Sequence, residues 1–351
     1  MPWFDQFSIG WLLGIFACSA AAVWLAGDRL SRYANAVAKR TGLGHAFLGT
    51  ILLGVLVSLP EAIFALVTAL LGNPELAVNG LVGGVAMVMI VIALTDLFVG
   101  KEALSSDVQH PVVLLQGGMT LLMLVVAAAG ITVGDRLLPG IGLVGIWSTA
   151  LLGLYIVTLM LVRHLQRRHP WRPGSSPPDN RTSSKKPSTQ TEQKLALPAL
   201  YGRTAIASVV IVAAGAILAV TAEAFNEKTA LGAGLIGLLF GGFSTSLPEL
   251  STTISAARLK EYELAFSDAF GTNLCSIALV FVADLAYGGG PILNEVGPFT
   301  TLAILLGAAL TAIYVVGLTV RHERAMLRMG PDSIAVLVAS AIGFALLVQL
   351  K

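Results

Sequence analysis

Ten apolar segments, each about 20 residues long or longer, follow one another along this chain of 351 residues. An α-helix needs about 20 mostly apolar residues to cross the hydrocarbon core of a bilayer. Only 12% of the residues are charged, against roughly 25% in soluble domains. These are too few charged side chains to cover the apolar surface of a protein dissolved in water. The sequence therefore predicts an all-α polytopic membrane protein with ten transmembrane helices, and it excludes an ordinary soluble enzyme. The predicted spans are residues 6–27, 43–71, 76–100, 111–132, 138–162, 204–222, 231–257, 264–287, 297–320 and 331–350.

One long polar stretch, residues 164–203, separates the fifth predicted span from the sixth. It is rich in proline, serine and lysine, a composition typical of a disordered linker. The linker divides the chain into two halves of five spans, residues 1–163 and residues 204–351. The first span has no basic segment in front of it, so we expect a retained helix and not a signal peptide.

The distribution of basic residues predicts which side of the membrane each loop faces. Of the 22 Lys and Arg residues, 19 fall in loops on one side of the predicted spans, and this side includes the linker. Cytoplasmic loops carry the excess of Lys and Arg in membrane proteins. We therefore expect a cytoplasmic linker, both termini outside, and residence in the cell (inner) membrane. The two halves then have opposite orientations.

The two halves also resemble each other in sequence. A shift of 188 residues without a gap aligns residues 54–100 with residues 242–288, with 14 identities in 47 positions. Apolar composition alone does not bring polar and proline residues into register, yet Ser58-Leu59-Pro60-Glu61 aligns with Ser246-Leu247-Pro248-Glu249. The sequence thus predicts an inverted repeat, an architecture typical of secondary transporters with an ion site at the membrane midplane.

Glu61 and Glu249 are the strongest candidates for cation ligands. A carboxylate near the bilayer centre costs at least about 2.5 kcal/mol, so it normally faces a polar cavity or a partner. Each glutamate follows a proline, which lacks an N–H group and frees a backbone carbonyl about one turn earlier. Carboxylate and carbonyl oxygens are the ligands that calcium requires. The hydroxyls on the same turns, those of Ser58, Thr245 and Ser246, extend the candidate set. The alternative is a pair of buried, neutral carboxyl groups.

A second polar cluster follows on the eighth span. Asp268 and Thr272 are four residues apart and share a helix face, and Asn273 adds a neutral amide oxygen. In the first half, the position matching Asp268 is a glycine, and Asn79, one residue early, is the nearest polar candidate. Asn79 is either a ligand or the donor of a helix cap or interhelical hydrogen bond.

Asp96 and Asp284 match in register, but they lie near the ends of their spans. They are either solvated acids at the membrane interface or ion-entry sites. An intramembrane aspartyl protease is disfavoured, because no Gly-x-Gly-Asp motif is present and the two residues are predicted on opposite sides of the membrane.

At these motifs the sequence resembles the sodium/calcium exchanger membrane region family of the calcium:cation antiporter superfamily. Residues 43–100 and 231–288 are similar to its two α-repeats, and the resemblance implies ten helices with the N-terminus outside. It also implies that Glu61 and Glu249 are the central ligands, completed by Asp268, Asn273 and the Ser and Thr residues. The first repeat departs from the family pattern at four positions: Val57, Gly80, Gly84 and Val85.

The resulting functional hypothesis is a secondary cation antiporter that exports calcium in exchange for sodium or protons by alternating access. Its expected partners are membrane lipid and small inorganic cations, without nucleic acid and without a cofactor, and its oligomeric state is left open. The alternatives are a proton-coupled or other-cation antiporter, and a non-transporting homologue with a degenerate first-repeat site.

Overall fold

The computed structural model describes residues 7–41, 58–99, 103–106, 108, 111–135, 144–167, 197–229, 231–258, 262–320 and 329–350. Eleven helices make up most of this part of the chain. They are α1 (Ile9–Thr41), α2 (Leu59–Leu70), α3 (Pro74–Val99), α4 (Pro111–Val133), α5 (Ile146–Arg167), α6 (Leu197–Lys228), α7 (Ala233–Thr245), α8 (Leu247–Arg258), α9 (Tyr262–Ala286), α10 (Pro298–Val320) and α11 (Pro331–Gln349).

Eight of these helices are long and apolar enough to cross a membrane, and α7 with α8 meets the same test only as a bent pair. Helix α2 is apolar but has only 12 residues, and the first part of its predicted span lies outside the described residues. The helical membrane class is therefore confirmed, whereas the count of ten and the inverted repeat stay predictions. Large apolar side chains on the outside, such as Trp11 and Phe98, give a surface suited to lipid.

The two ends of the predicted linker are helical, although its sequence indicates a stretch without helix. Helix α5 continues to Arg167 and α6 begins at Leu197, so both ends of the stretch 164–203 are helical. Polar residues at these ends do not stop a helix, because its backbone hydrogen bonds are internal. The remainder, residues 168–196, lies outside the described residues.

The bend between α7 and α8 follows from a proline. The two helices meet at 48°. Pro248 lacks an N–H group and its ring clashes with the carbonyl four residues earlier, so a straight helix is interrupted just before Glu249. Pro60 lies in the same way in the first turn of α2. The preceding serines adopt matching backbone angles, φ −81° and ψ 6° at Ser58 and φ −86° and ψ 7° at Ser246.

Helices α3 and α9 form the centre of the molecule. The side-chain amide of Asn273 on α9 donates to the carbonyl of Val85 on α3, with 3.5 Å between nitrogen and oxygen. These two residues are 188 positions apart, so they are equivalent in the predicted repeat. Around them, Gly83 of α3 approaches the backbone of Leu238 and Gly242 of α7 so closely that a Cβ atom would clash. Small residues permit such close contact between membrane helices.

Asp284 at the end of α9 caps the start of α5. Its carboxylate accepts hydrogen bonds from the N–H of Gly145 at 2.8 Å and from the hydroxyl of Ser148. It also accepts one from the N–H of Ile292 at 2.7 Å. The side chain is 2% exposed. A carboxylate at a helix N-terminus satisfies N–H groups that have no partner within the helix.

Asp96 at the end of α3 makes the equivalent cap at the start of α11. It accepts hydrogen bonds from the N–H of Leu104 at 3.0 Å and from the N–H of Gly330 at 2.6 Å, and it is fully buried. The interpretation of Asp96 and Asp284 as solvated interfacial acids is therefore wrong, because the loops after their helices fold back over them. In each case the carboxylate of one half holds the last helix of the other half, and we call these two contacts the crossed caps.

Candidate cation-binding site

Glu61 lies in the first turn of α2 and is 1% exposed. Its Oε2 atom accepts a hydrogen bond from the hydroxyl of Ser276 on α9 at 2.8 Å. Ser276 was not among the predicted ligands, although it lies four residues after Thr272 and so on the same helix face. The Ser58 hydroxyl lies beside Glu61 without a hydrogen bond of good geometry. One oxygen of Glu61, Oε2, is thus held in place by α9.

Glu249 lies in the first turn of α8 and is also 1% exposed. Both of its carboxylate oxygens lack a hydrogen-bond partner among the described residues. The position equivalent to Ser276 in the first half is Val88, which has no hydroxyl to donate to Glu249. Glu61 and Asp268 lie close enough to Glu249 to interact with it electrostatically. The two glutamates therefore lie in one buried region. Glu61 is held there by a hydrogen bond from α9, whereas Glu249 has no such bond among the described residues.

Six buried oxygen atoms at Ser58, Glu61, Ser246, Glu249 and Asn273 have no hydrogen-bond partner within the part of the chain that the structure describes. They are Ser58 Oγ, Glu61 Oε1, Ser246 Oγ, Glu249 Oε1, Glu249 Oε2 and Asn273 Oδ1. A buried polar atom without a partner costs about 1–3 kcal/mol, and a charged one costs more. Hard oxygen atoms of this kind are the ligands of calcium and of other hard cations. The donor set fits a bound cation.

Gly84 provides the space in front of Glu61. A Cβ atom at this position would lie 2.8 Å from Glu61 Oε1 and 3.6 Å from Ser246 Oγ. The sequence analysis treated Gly84 as a lost ligand, because its equivalent in the second half is Thr272. The structure gives it a steric role, since the backbone of α3 forms one wall beside these two oxygen atoms.

Asp268 contacts α8 through the side chain of Thr252. Its Oδ2 atom accepts a hydrogen bond from Thr252 Oγ1 at 2.8 Å, and Thr252 lies about one helical turn beyond Glu249. Among the described residues, no three His, Cys, Asp or Glu side chains converge as a metal-binding group. The arrangement of Glu61, Glu249 and Asp268 around one ion stays a prediction, with Asp268 hydrogen-bonded one turn further along α8.

The remaining predicted ligands have other contacts. Thr245 donates to the carbonyl of Gly241 at 2.9 Å, within its own helix. Asn79 donates to the carbonyl of Glu75 and to the hydroxyl of Thr300 on α10, both at 2.8 Å. The Asn79 amide nitrogen thus makes an interhelical hydrogen bond, whereas its Oδ1 atom is buried without a partner among the described residues, so its role as a ligand stays a prediction. Thr272 is buried, and its carbonyl accepts a hydrogen bond from the Ser276 hydroxyl at 3.0 Å.

The family model described as sodium/calcium exchanger protein matches residues 11–163 and 200–348. These two stretches contain every predicted ligand and leave out most of the predicted linker. No curated protein matches the chain in sequence.

Several solved structures share the fold. Native YfkE has a TM-score of 0.65 at 13% identity, over 95% of this chain and 91% of that one. The H+/Ca2+ exchanger CAX has a TM-score of 0.63 at 13% identity, over 99% and 92%. The sodium-calcium exchanger NCX_Mj, soaked with Na+ and Sr2+, has a TM-score of 0.58 at 18% identity, over 96% and 99%. The family model spans most of the chain and these folds agree with it, so the chain belongs to the sodium/calcium exchanger protein family of membrane cation antiporters.

Proposed function

We propose that this protein exports calcium in exchange for sodium or protons, by alternating access to a midplane site centred on Glu61 and Glu249. The observation that carries the proposal is the set of six buried oxygen atoms without hydrogen-bond partners at Ser58, Glu61, Ser246, Glu249 and Asn273. The solved structures with the same fold include an exchanger of H+ and Ca2+ and a sodium-calcium exchanger.

The charge of the site supports exchange by competition. Two buried carboxylates carry two negative charges, and one divalent cation neutralises them. Without that cation, two sodium ions or two protons must take its place, because a buried uncompensated charge is strongly unfavourable. A site that is always neutralised, but by different cations, couples the movement of one ion to that of the other.

The two glutamates differ in their hydrogen bonds, and this difference favours different roles for them. Ser276 fixes Glu61, whereas Glu249 is free to change its orientation as the bound cation changes. We assign Glu61 to the fixed part of the site and Glu249 to the adaptable part. The predicted inverted repeat, with α2 and α8 on opposite sides of the midplane, then allows access from either side in turn.

Calcium binding to the purified protein tests this function. Glu249→Gln removes one of the two charges, so we expect calcium affinity to fall by at least a hundredfold and calcium uptake into proteoliposomes to stop. Glu295→Gln, which changes an exposed carboxylate outside the helices, is the matched control and should behave as the native protein does. Uptake driven by a sodium gradient and by a proton gradient, measured separately, identifies the coupling ion. Native calcium affinity in Glu249→Gln would contradict the proposal, and absence of binding in every variant would favour a non-transporting homologue.

A further inference from the structure

One pair of contacting positions occurs in both halves with opposite chemistry. In the second half, Thr252 on α8 donates a hydrogen bond to Asp268 on α9 at 2.8 Å. A shift of 188 residues leads to Phe64 on α2 and Gly80 on α3. These two residues are also in contact, since a Cβ atom at Gly80 would lie 2.6 Å from Cε1 of the Phe64 ring. The first half therefore has an aromatic ring where the second half has a hydroxyl and a carboxylate.

The contrast continues one residue away. Ser251 on α8 donates to Asp28 on α1 at 3.0 Å. The equivalent position in the first half is Ile63, and it packs against Gly215 on α6, with 3.2 Å between its Cγ2 atom and a Cβ atom at that glycine. The hydrogen-bonded residues form a run of polar groups, which we call the polar branch: Asp268, Thr252 and Ser251 of the second half and Asp28 of the first. The first-half counterparts of Asp268, Thr252 and Ser251 are Gly80, Phe64 and Ile63.

The Phe64 ring is tightly enclosed. The side chain is 1% exposed. Gly241 on α7 lies at the same edge of the ring as Gly80, and a Cβ atom there would be 2.7 Å from the ring Cζ atom. Glycine at both neighbouring positions gives the ring its space, since any larger side chain at Gly80 or Gly241 would overlap with it. The ring itself offers no oxygen ligand to a cation, in contrast to the carboxylate of Asp268.

We propose that Phe64 is a hydrophobic plug, which fills the first-half counterpart of the Asp268–Thr252 subsite and thereby limits the number of cations that the protein binds. Cations other than the one between Glu61 and Glu249 are then held only on the side of the polar branch. This proposal rests on the proposed function, because it assigns the number of ions to the same site. It makes Phe64 a determinant of stoichiometry that contributes no ligand atom.

A thermal-stability cycle tests the geometry without any ion. Gly80→Asp alone forces a side chain against the ring, so we expect a large drop in Tm in detergent. Phe64→Thr alone leaves a cavity and lowers Tm moderately. The double variant Phe64→Thr/Gly80→Asp reproduces the polar pair of the second half, so its Tm should exceed that of Gly80→Asp. Additive losses in the double variant would contradict the plug.

Titration calorimetry with Na+ and with Ca2+, on purified protein in detergent, tests the consequence. The double variant Phe64→Thr/Gly80→Asp should bind about one more cation per chain than the native protein, and calcium uptake should depend more steeply on Na+. The mirror variant Thr252→Phe/Asp268→Gly carries the plug to the other half and should bind at least one cation fewer.

The outcomes separate this inference from the proposed function. Unchanged stoichiometry and unchanged sodium dependence in a folded double variant would overturn the role of Phe64 while leaving the antiporter intact. Absence of cation binding in the native protein itself would overturn both proposals, whatever the stability cycle shows.

Discussion

One hydrogen bond distinguishes the two glutamates of the site, which are otherwise chemically identical. Glu61 and Glu249 occupy the same turn of equivalent helices, yet only Glu61 accepts a hydrogen bond from α9. The difference comes from one position, which is Ser276 in the second half and Val88 in the first. Both glutamates, both serines of the Ser-Leu-Pro-Glu motifs and Asn273 were identifiable from sequence as candidate ligands, because motif and register indicate them. Ser276, Gly84 and Phe64 were not, because their roles depend on contacts between helices.

We expect Ser276→Ala to weaken calcium binding about tenfold. The hydroxyl holds a charged acceptor, and such hydrogen bonds contribute about 1.5–3 kcal/mol. Without it Glu61 Oε2 is buried and has to find another partner, so Tm should fall as well. Ser340→Ala is the control, since the Ser340 hydroxyl bonds only to its own helix backbone at Val336 O. Equal calcium affinity in the two variants, measured by calorimetry, would show that Ser276 does not position Glu61.

We expect Gly84→Ala to reduce calcium affinity at least tenfold with little loss of expression. The new methyl group would lie 2.8 Å from Glu61 Oε1, so the carboxylate must move away from its position. Gly118→Ala on α4 is the matched control, because a Cβ atom there meets nothing within 4 Å. A Gly84→Ala variant that binds and transports calcium as the Gly118→Ala variant does would contradict the steric role.

The positions of whole helices depend on turns and helix caps, and the hydropathy of the sequence does not predict these contacts. Hydropathy predicted where α3 and α9 cross the membrane, but it gave no indication that the loops after them return to cover Asp96 and Asp284. The bend at Ser246, in contrast, was implied by the proline two residues later. Chain segments with strong periodic composition are thus predictable, whereas the contacts of their ends depend on tertiary structure.

We expect Asp284→Ala to destabilise the protein by about 2–4 kcal/mol, because it leaves the N–H groups of Gly145 and Ile292 without an acceptor. Thermal unfolding in detergent, compared with Glu295→Gln, measures this loss. Calcium affinity of the fraction that remains folded should be unchanged. A loss of affinity with native Tm would instead indicate an ion-entry role for Asp284.

For the molecule as a whole, orientation rests on the distribution of 19 against 3 basic residues. That argument predicts which side each loop faces, a property that the helix contacts do not determine. We expect a cysteine at position 2 to react with an impermeant maleimide in intact cells, and one at Ser188 to react only after permeabilisation. The reverse pattern would invert the assigned orientation, although the site and the caps would remain as described.

The crossed caps have a consequence for how such a chain can be divided. Each half supplies the carboxylate that holds the first turn of the other half's last helix, so neither half has all the acceptors that its own helices need. A gene cut within residues 171–196 would yield two polypeptides that complete each other only on association. Under the predicted opposite orientations, one ancestral half inserted both ways would offer its copy the same two contacts. A dimer of that kind becomes a single chain once duplication and fusion of its gene add the connecting segment.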